Sequence, residues 1–237
     1  MHVPDGFIDA PTSLAAGAVA VMGVGLCLRG ARRELNERTA PLAGLVAAFF
    51  FAAQMLNFPV ASGTSGHLLG GVLAAILVGP FTGALAVTTV LLVQALLFAD
   101  GGLTALGVNI VTMAFVTVAF GYPFFRLLAW AMPRRRDLLP VTAAVAALVS
   151  VPVASLVFVG FYSVGGTVDL SVSSVAAAMV GVHLFIGIGE AVITGLTVAS
   201  VITVRPDLVY GARGLLPRAQ LELRIPTPST AASGGQP

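Results

Sequence analysis

The chain has 237 residues, of which 57% are hydrophobic and only 9% are charged. In soluble domains roughly a quarter of the residues are charged, so the composition excludes a water-soluble globule. A bilayer core of about 30 Å takes roughly 20 apolar residues in a helix, so this length allows about six to eight helical spans. Little of the chain remains for a domain outside the membrane.

The basic residues are all Arg, since the chain has no Lys, and they fall into three clusters. They occupy positions 29, 32, 33, 38, 126, 134, 135, 136, 205, 213, 218 and 224. Clusters separated by apolar runs indicate one basic face of a membrane protein, and they argue against a nucleic-acid partner, which needs a basic soluble domain. The single Cys27 excludes an intramolecular disulfide and a cysteine-based zinc site.

Hydropathy along the chain predicts an all-α integral membrane protein, a bundle of seven transmembrane helices. The apolar runs cover residues 12–29, 41–57, 67–79, 81–99, 104–130, 140–163 and 174–204. The third run is short and rich in Gly, and only Pro80 separates it from the fourth, so the two form either a tight helical hairpin or one broken segment. Six spans is the alternative count. Residues 1–204 form one transmembrane domain in either case.

The charges predict which face of the membrane each end occupies. Connections rich in Arg stay in the cytoplasm, and all three clusters share that face only if the number of spans is odd and the N-terminus lies outside. The opposite face carries four acids and no base: Asp5, Asp9, Asp100 and Asp169. Residues 205–237 are then a cytoplasmic tail, disordered from about residue 226 because Pro, Ser and Gly dominate there. We expect a multi-pass protein of the cell membrane.

The N-terminus has two features that suit metal binding. No basic segment of a signal peptide precedes the first apolar run, so we expect the mature chain to begin at Met1. A His at position two can bind one ion through the terminal amine, its own amide nitrogen and its imidazole, in fused five- and six-membered rings. Such nitrogen ligands suit Ni²⁺ and Cu²⁺, with Co²⁺ also a candidate. Binding should release protons and weaken in acid.

A fourth ligand must come from elsewhere, and His67 is the candidate. It lies at the predicted start of the third helix, on the same outer face as His2. The residues alone leave an alternative open, in which His2 is a disordered terminal residue and His67 caps a helix at the membrane interface.

Two ionisable residues lie within the last predicted helix. His183 and Glu190 are close to two helical turns apart, so they point to one face. Ionisable groups at this depth usually face the interior of a bundle, with a partner or along a pathway. They form either an ion route below the outer site or a buried structural pair. As a relay, they would support an alternative function, a self-sufficient metal channel or secondary carrier.

Other polar residues and missing motifs narrow the function. Four amide side chains lie in or beside apolar helices, where hydrogen bonds between helices are their expected role: Gln54, Asn57, Gln94 and Asn109. Asp100, followed by two Gly, is expected in an outer turn. The sequence has no P-loop and no H-E-x-x-H motif. A serine hydrolase built from Ser65 and His183 would lack any established nucleophile motif.

Several long motifs occur in order along residues 1–204. They are Met1-His2-Val-Pro-Asp-Gly-Phe7, Gln54-Met-Leu-Asn-Phe-Pro59, Gly63-Thr-Ser-Gly-His-Leu-Leu-Gly-Gly71, Gln94-Ala-Leu-Leu-Phe-Ala-Asp-Gly-Gly-Leu-Thr-Ala-Leu-Gly107 and His183-Leu-Phe-Ile-Gly-Ile-Gly-Glu190. In sequence and in place along the span map, they resemble the cobalt/nickel substrate-binding membrane subunit, CbiM/NikM, of energy-coupling factor transporters. The resemblance is specific, because several long motifs match rather than one.

The resemblance implies an uptake subunit with seven membrane helices that captures Co²⁺ or Ni²⁺ from outside and holds no permanent cofactor. The metal ligands that it implies are Met1, through its amine, His2 and His67. The second-shell or pathway candidates are Asp5, Asn57, Thr64, Ser65, Asp100, Asn109, His183 and Glu190. Pro4 and Asp5 look more like nickel-type members, since cobalt-type members often begin Met-His-Ile-Met-Glu-Gly.

The resemblance also implies partners: a transmembrane coupling subunit, two ATP-binding subunits and a small accessory membrane protein. These would supply the ATP hydrolysis for which this chain has no motif, so the chain itself is expected not to be an enzyme. The Arg residues expected to face the cytoplasmic partners are Arg29, Arg32, Arg33, Arg134, Arg135 and Arg136. No long hydrophobic run follows Val204, so we expect the accessory protein to be a separate chain.

Overall fold

The protein, as a computed structural model, is described for residues 1–37, 39–60, 64–133 and 135–215. Its seven α helices in these residues are α1 (Ala10–Glu34), α2 (Thr39–Gln54), α3 (Gly71–Val78), α4 (Pro80–Leu97), α5 (Leu106–Ala131), α6 (Leu139–Gly165) and α7 (Val172–Val204). Two short antiparallel strands precede α3, namely β1 (Phe58–Pro59) and β2 (Ser65–Gly66). The middle of α5 is π-helical over Ile110–Val116. The predicted helical bundle with seven helices is confirmed.

Five of the seven helices are long and apolar enough to cross a membrane: α1, α4, α5, α6 and α7. By contrast, α2 has 16 residues and α3 has only 8. Eight helical residues reach about 12 Å, against a hydrocarbon core of about 30 Å. The prediction that the third apolar run is a full span is therefore wrong. Only Gly79 separates α3 from α4, so the two form a tight helical hairpin, one of the two arrangements expected from the sequence.

The hairpin closes because two Gly residues allow it. Gly79 has a φ of 102°, which L side chains rarely adopt, and this turns the chain between the helices. Gly83 of α4 lies against the backbone of α3, where a Cβ would be 2.6 Å from the amide nitrogen of Ala75. Every residue of α3 is buried. The short helix is therefore enclosed by the bundle and does not face lipid.

A buried carboxylate fixes the chain just before α3. Glu190 of α7 accepts hydrogen bonds from the amides of Leu69 and Gly70, each at 2.8 Å. These bonds hold residues 67–70 out of the helix, which is why α3 begins four residues later than the hydropathy predicts.

A second buried carboxylate holds the start of α4. Glu34, at the end of α1, accepts hydrogen bonds from the amides of Phe81 at 3.2 Å and Thr82 at 2.7 Å. Amides in the first turn have no partner within their own helix and attract negative charge. Glu34 is only 3% exposed. No pattern in the sequence distinguishes it from the other charged residues of its connection, and we expected no role for it.

The charged residues separate onto the two ends of the bundle. Residues 1–9 lie at the end where α5 begins and α6 ends, since the amide of Asp9 donates to the carbonyl of Gly165 at 2.7 Å. The amide of Val3 donates to Asn109 Oδ1 at 3.0 Å at the same end. We call this the acidic end. The Arg residues that the structure describes lie at the opposite, basic end, where α1, α5 and α7 terminate. Which end faces the cell exterior stays a prediction.

Five of the six Arg residues expected to face partners are exposed at the basic end: Arg29, Arg32, Arg33, Arg135 and Arg136. The sixth, Arg134, lies outside the described residues. Residues 216–237 also lie outside them, and they include the stretch predicted to be disordered.

Residues 206–215 pack against the basic end of the bundle. Arg126 Nη1 donates to the carbonyls of Gly211 and Arg213, both at 3.2 Å. Val209 and Ala212 are 1% and 5% exposed. This part of the predicted tail is therefore folded onto the helices that precede it.

Candidate metal centre

The first residues of the N-terminal segment lie deep inside the acidic end of the bundle. Met1 and Val3 are both 0% exposed. Two hydrogen bonds join the backbone of Val3 to the side chain of Asn109. The Val3 amide donates to Asn109 Oδ1 at 3.0 Å, and Asn109 Nδ2 donates to the Val3 carbonyl at 3.3 Å. The Gly102 amide donates to the same carbonyl at 2.8 Å. These contacts fix the terminal amine within the protein.

His2 and His67 meet beside this amine. The amide of Ser65 donates to the His2 carbonyl at 3.4 Å, so the N-terminal segment pairs with β2. The two imidazole rings lie with their centroids 4.5 Å apart and their planes inclined by 34°. His2 is 4% exposed and His67 is 0% exposed. The structure thus brings together all three residues that the sequence analysis assigns as ligands.

His67 does not begin a helix, as we expected from the sequence. It lies four residues before α3, in the extended segment that Glu190 holds. Its Nδ1 is 2.7 Å from the carbonyl of Leu68. The alternative of a disordered His2 and a helix-capping His67 does not fit two buried rings in contact.

Burial keeps the nitrogen atoms of this centre neutral. It lowers the pKa of the terminal amine to about 4, although the negative charges of Asp100 and Glu190 act to raise this pKa. It lowers the pKa of His2 to about 3, and the adjacent amine acts in the same direction. Burial also holds the pKa of His67 well below its usual value, assisted by the charges of the amine, His2 and His183. At neutral pH these groups therefore offer lone pairs without losing protons first.

The arrangement suits an ion that prefers nitrogen ligands. Among the described residues, no three His, Cys, Asp or Glu side chains form a group that could hold a metal ion. A site here must therefore use the terminal amine and the His2 amide together with the imidazoles. His2 Nε2 and His67 Nε2 are both buried and have no hydrogen-bond partner among the described residues. Four nitrogen ligands, of which the His2 amide loses its proton on binding, fit Ni²⁺, Cu²⁺ or Co²⁺ better than Mg²⁺ or Ca²⁺, which prefer oxygen ligands.

Asp100 is more than the outer turn predicted from the sequence. Its Oδ2 lies 3.7 Å from His2 Nε2 and accepts a hydrogen bond from Asn57 Nδ2 at 2.9 Å. Ala99 has a φ of 52°, a left-handed conformation that is uncommon for a residue with a side chain. This turn places the Asp100 carboxylate beside the ring nitrogen that a chelate through Nδ1 leaves free. Ligating His residues usually have such a partner.

Gln94 was missed as a residue of the site. We expected it to bond another helix, but it is 0% exposed and lies beside the His2 ring. Its place six residues before Asp100, within one long motif, is the sequence signal that links it to the site. Gln54 also differs from the expectation, since its Nε2 donates to the backbone carbonyl of Leu69 at 3.0 Å.

The remaining candidates surround the site at different distances. The exposed Asp5 accepts hydrogen bonds from the amide and the hydroxyl of Thr104, both at 2.7 Å, and so braces the loop that precedes α5. The Thr64 hydroxyl is 3.9 Å from Met179 Sδ. Asn109 orients the N-terminal segment through Val3, as described. The hydrogen bonds of Asp5 and Asn109 hold the backbone around the centre in place.

His183 and Glu190 both face the bundle interior, as predicted, with exposures of 0% and 2%. Of the two alternatives, an ion route or a buried structural pair, the pair is not favoured, because each residue has its own partner. His183 Nδ1 is 2.7 Å from the carbonyl of Met179, whereas Glu190 binds the amides ahead of α3.

Replacing Asp100 with Asn should weaken Ni²⁺ binding by roughly 10- to 100-fold, the usual effect of removing a partner of a ligating His. The loss follows because the carboxylate orients His2 and stabilises the proton on Nε2. Calorimetric titration of the purified protein measures it. Asp169→Asn is the matched control, since it removes an exposed acid at the same end. Equal effects of both changes would show that only surface charge matters.

Comparisons with known proteins agree with this architecture. The family described as "Cobalt uptake substrate-specific transmembrane region" matches residues 2–208. A protein of Haloquadratum walsbyi that is named for metal transport is 41% identical over 222 residues, or 89% of this chain and 94% of its own. One of Archaeoglobus fulgidus, named as a fused nickel transport protein, is 36% identical over 210 residues, or 88% of this chain and 68% of its own.

A solved crystal structure of a transition metal transporter has the same fold. It superposes with a TM-score of 0.79 at 29% sequence identity and covers 90% of this chain and 100% of its own. The family match spans all seven helices and the N-terminal segment from His2 onwards. The chain is therefore a multi-pass membrane protein of cobalt and nickel transport, and it belongs to the CbiM family.

Proposed function

We propose that this chain is the substrate-capture membrane subunit of an energy-coupling factor uptake transporter for Ni²⁺ or Co²⁺. The ion binds at the acidic end through the Met1 amine, the His2 amide and Nδ1, and His67 Nε2. It is released toward the basic end with the help of partner subunits. The acidic end faces the cell exterior, because Arg-rich connections stay in the cytoplasm.

One observation supports this proposal above all others. The terminal amine and the two imidazoles are buried together, with ring centroids 4.5 Å apart, and the proposed ligand atom His67 Nε2 has no hydrogen-bond partner among the described residues. Burial of polar atoms without partners is costly, so such a group is expected to have a ligand. The acids of the outer face add a modest attraction for cations, which salt screens.

The proposed partners are a transmembrane coupling subunit, two ATP-binding subunits and a small accessory membrane protein. The absence of a P-loop from the sequence means that ATP hydrolysis must come from another chain. The exposed Arg residues of the basic end offer these partners a charged surface. The chain itself is then a transport subunit without enzymatic activity.

The first test removes the terminal chelate without changing His2. Four residues, Gly-Ser-Gly-Ser, are added ahead of Met1, so that the amine no longer closes a ring with His2. We expect binding of Ni²⁺ and Co²⁺ to fall by on the order of 100-fold or more in calorimetric titrations, since the amine, one of the four ligands and the anchor of the chelate rings, is lost. The same four residues inserted between Gly234 and Gly235 serve as the control and should leave the affinity unchanged. Unchanged affinity in the N-terminal extension would refute the chelate.

A second test concerns the partners. Vesicles that contain this chain alone should take up no Ni²⁺ or Co²⁺, whereas vesicles with the coupling and ATP-binding subunits should do so when ATP is supplied. Uptake by the chain alone would instead support the self-sufficient carrier, in which His183 and Glu190 act as a relay.

A further inference from the structure

Two of the long helices contain an internal Pro, and each Pro leaves one backbone carbonyl without its usual donor. Pro123 lies inside α5 and Pro152 inside α6. Because Pro has no amide hydrogen, the carbonyl four residues earlier cannot form its helical hydrogen bond. The two carbonyls are those of Ala119 and Leu148. An unsatisfied carbonyl is costly in the hydrocarbon of a membrane, so each should be covered by a neighbouring group.

The fold itself covers the carbonyl of Leu148. The two helices α6 and α7 pack along each other, and a Cβ on Gly187 of α7 would be only 3.1 Å from the Leu148 oxygen. Gly187 is buried. A backbone without a side chain can come this close to a carbonyl and offer it a weak Cα–H contact. The carbonyl that Pro152 leaves free is therefore enclosed between two helices of this chain.

The carbonyl of Ala119 is not covered in this way. Ala119 and Pro123 are both exposed, and both line a groove of about 390 Å³ between α1, α4 and α5. The carbonyl of a helical residue points toward the residue four positions later, so this carbonyl opens into the groove. Among the described residues, no group of another helix or loop donates a hydrogen bond to it.

The groove lies at a depth where water does not replace the missing donor. Ala119 is at the middle of α5, whose 26 residues extend over about 39 Å. Arg126, which binds the folded tail at the basic end, follows about 10 Å further along the same helix. The groove also reaches Pro80 and Phe81, next to the turn of the α3–α4 hairpin at the basic end. It therefore runs from the middle of the membrane to the basic end.

The walls of the groove suit a helix better than a lipid. Small residues let helix backbones approach each other closely in a membrane, and Gly23, Ala84 and Ala119 supply one on each wall. A Cβ on Gly23 would clash with the ring of Phe115, so only Gly keeps this wall in place. Hydroxyl and amide side chains of neighbouring helices satisfy free carbonyls in membrane proteins. The acyl chain of a lipid has no such donor.

We propose that this groove is the docking surface for a transmembrane helix of the coupling subunit, and that a hydroxyl or amide side chain of that helix donates a hydrogen bond to the Ala119 carbonyl. This inference rests on the proposed function, because it gives one of the proposed partners a place on the bundle. The coupling subunit is the partner that fits, since the groove leads to the basic end, where the proposed ATP-binding subunits act.

The first experiment titrates the full chain in detergent with a fluorescently labelled complex of the coupling and ATP-binding subunits. Pro123→Ala supplies an amide to the Ala119 carbonyl, so the donor of the partner loses its acceptor. The dissociation constant should rise roughly 3- to 20-fold, the range measured for hydrogen bonds between membrane helices. Pro152→Ala is the matched control and should leave it unchanged, because α7 already covers the Leu148 carbonyl. Neither variant should alter the Ni²⁺ affinity of the chain alone.

A second experiment identifies the occupant of the groove. Leu26 lines the groove and is 62% exposed. With benzoylphenylalanine in place of Leu26, irradiation of membranes that contain all subunits should join this chain to the coupling subunit. The same replacement of Leu196, 65% exposed on α7, is the control and should give no such product. A product at Leu26 with the accessory protein alone, or with lipid alone, overturns the proposal.

Equal dissociation constants for Pro123→Ala and Pro152→Ala also overturn the proposal. Ala119→Phe, which fills the groove, should weaken docking by at least about tenfold, and it replaces Pro123→Ala if that variant does not fold. If the unchanged chain does not bind the coupling subunit at all, the proposed function fails together with this inference. If it binds and neither groove variant changes the dissociation constant, only the groove is wrong.

Discussion

His67→Ala should weaken Ni²⁺ and Co²⁺ binding by on the order of 100-fold or more. Metal sites with four protein ligands bind with about 10–16 kcal/mol, so one ligand contributes roughly 2.5–4 kcal/mol. His67 is 0% exposed, so a water molecule from solvent does not readily take the place of its imidazole as a ligand. Calorimetric titration in detergent measures the loss. The spectrum of bound Ni²⁺ should also change, since one of the four proposed nitrogen ligands is lost.

The matched control is His183→Asn, which removes another imidazole of 0% exposure that the proposed capture site does not use. It should leave the equilibrium affinity nearly unchanged, because His183 supplies none of the four proposed ligands. A similar loss in both variants would mean that His183 also binds the captured ion. A small loss in His67→Ala would remove His67 from the site.

Glu190→Leu should destabilise the protein and weaken metal binding together. It leaves the buried amides of Leu69 and Gly70 without acceptors, at about 1–3 kcal/mol each. The apparent melting temperature should then fall by at least about 5 °C, since 1 kcal/mol corresponds to roughly 2–4 °C at this chain length. Metal affinity should fall too, because the same segment carries His67. Thermal unfolding and calorimetric titration of one preparation measure both effects.

Glu34→Leu separates these two effects. It also leaves two amides without acceptors, those of the exposed Phe81 and the buried Thr82, but at the basic end of the hairpin. We expect a comparable loss of stability with no change in Ni²⁺ affinity when the protein is folded. If both variants lost affinity equally, the role of Glu190 in holding His67 would be contradicted.

The helices were largely predictable because hydropathy reports on the apolar surroundings directly. Each of the last five predicted apolar runs corresponds to one helix, from α3 to α7. The bounds of these helices lie within a few residues of the predicted bounds. The first helix is longer than expected, since α1 continues through Arg29, Arg32 and Arg33 to Glu34. Arg is a good helix former, so a basic connection does not have to be a loop.

The start of α3 was not predictable from local pattern. Residues 67–70 continue an apolar run, and nothing in their sequence indicates an extended conformation. What decides it is Glu190, whose hydrogen bonds to the backbone reach across more than a hundred residues of chain. Gln94 was missed for the same reason, because its neighbour in space is His2 at the far end of the chain.

The sequence by itself determined that this is a helical membrane protein with one basic and one acidic end, and that His2 and His67 are candidates for a metal site. These conclusions depend on composition, periodicity and the chemistry of an N-terminal His, which are local. Only the tertiary structure decided that the terminal amine is buried, that the two rings lie 4.5 Å apart, and that Glu190 holds the segment that carries His67. Burial and juxtaposition arise when distant segments pack, and a linear pattern does not encode which segments meet.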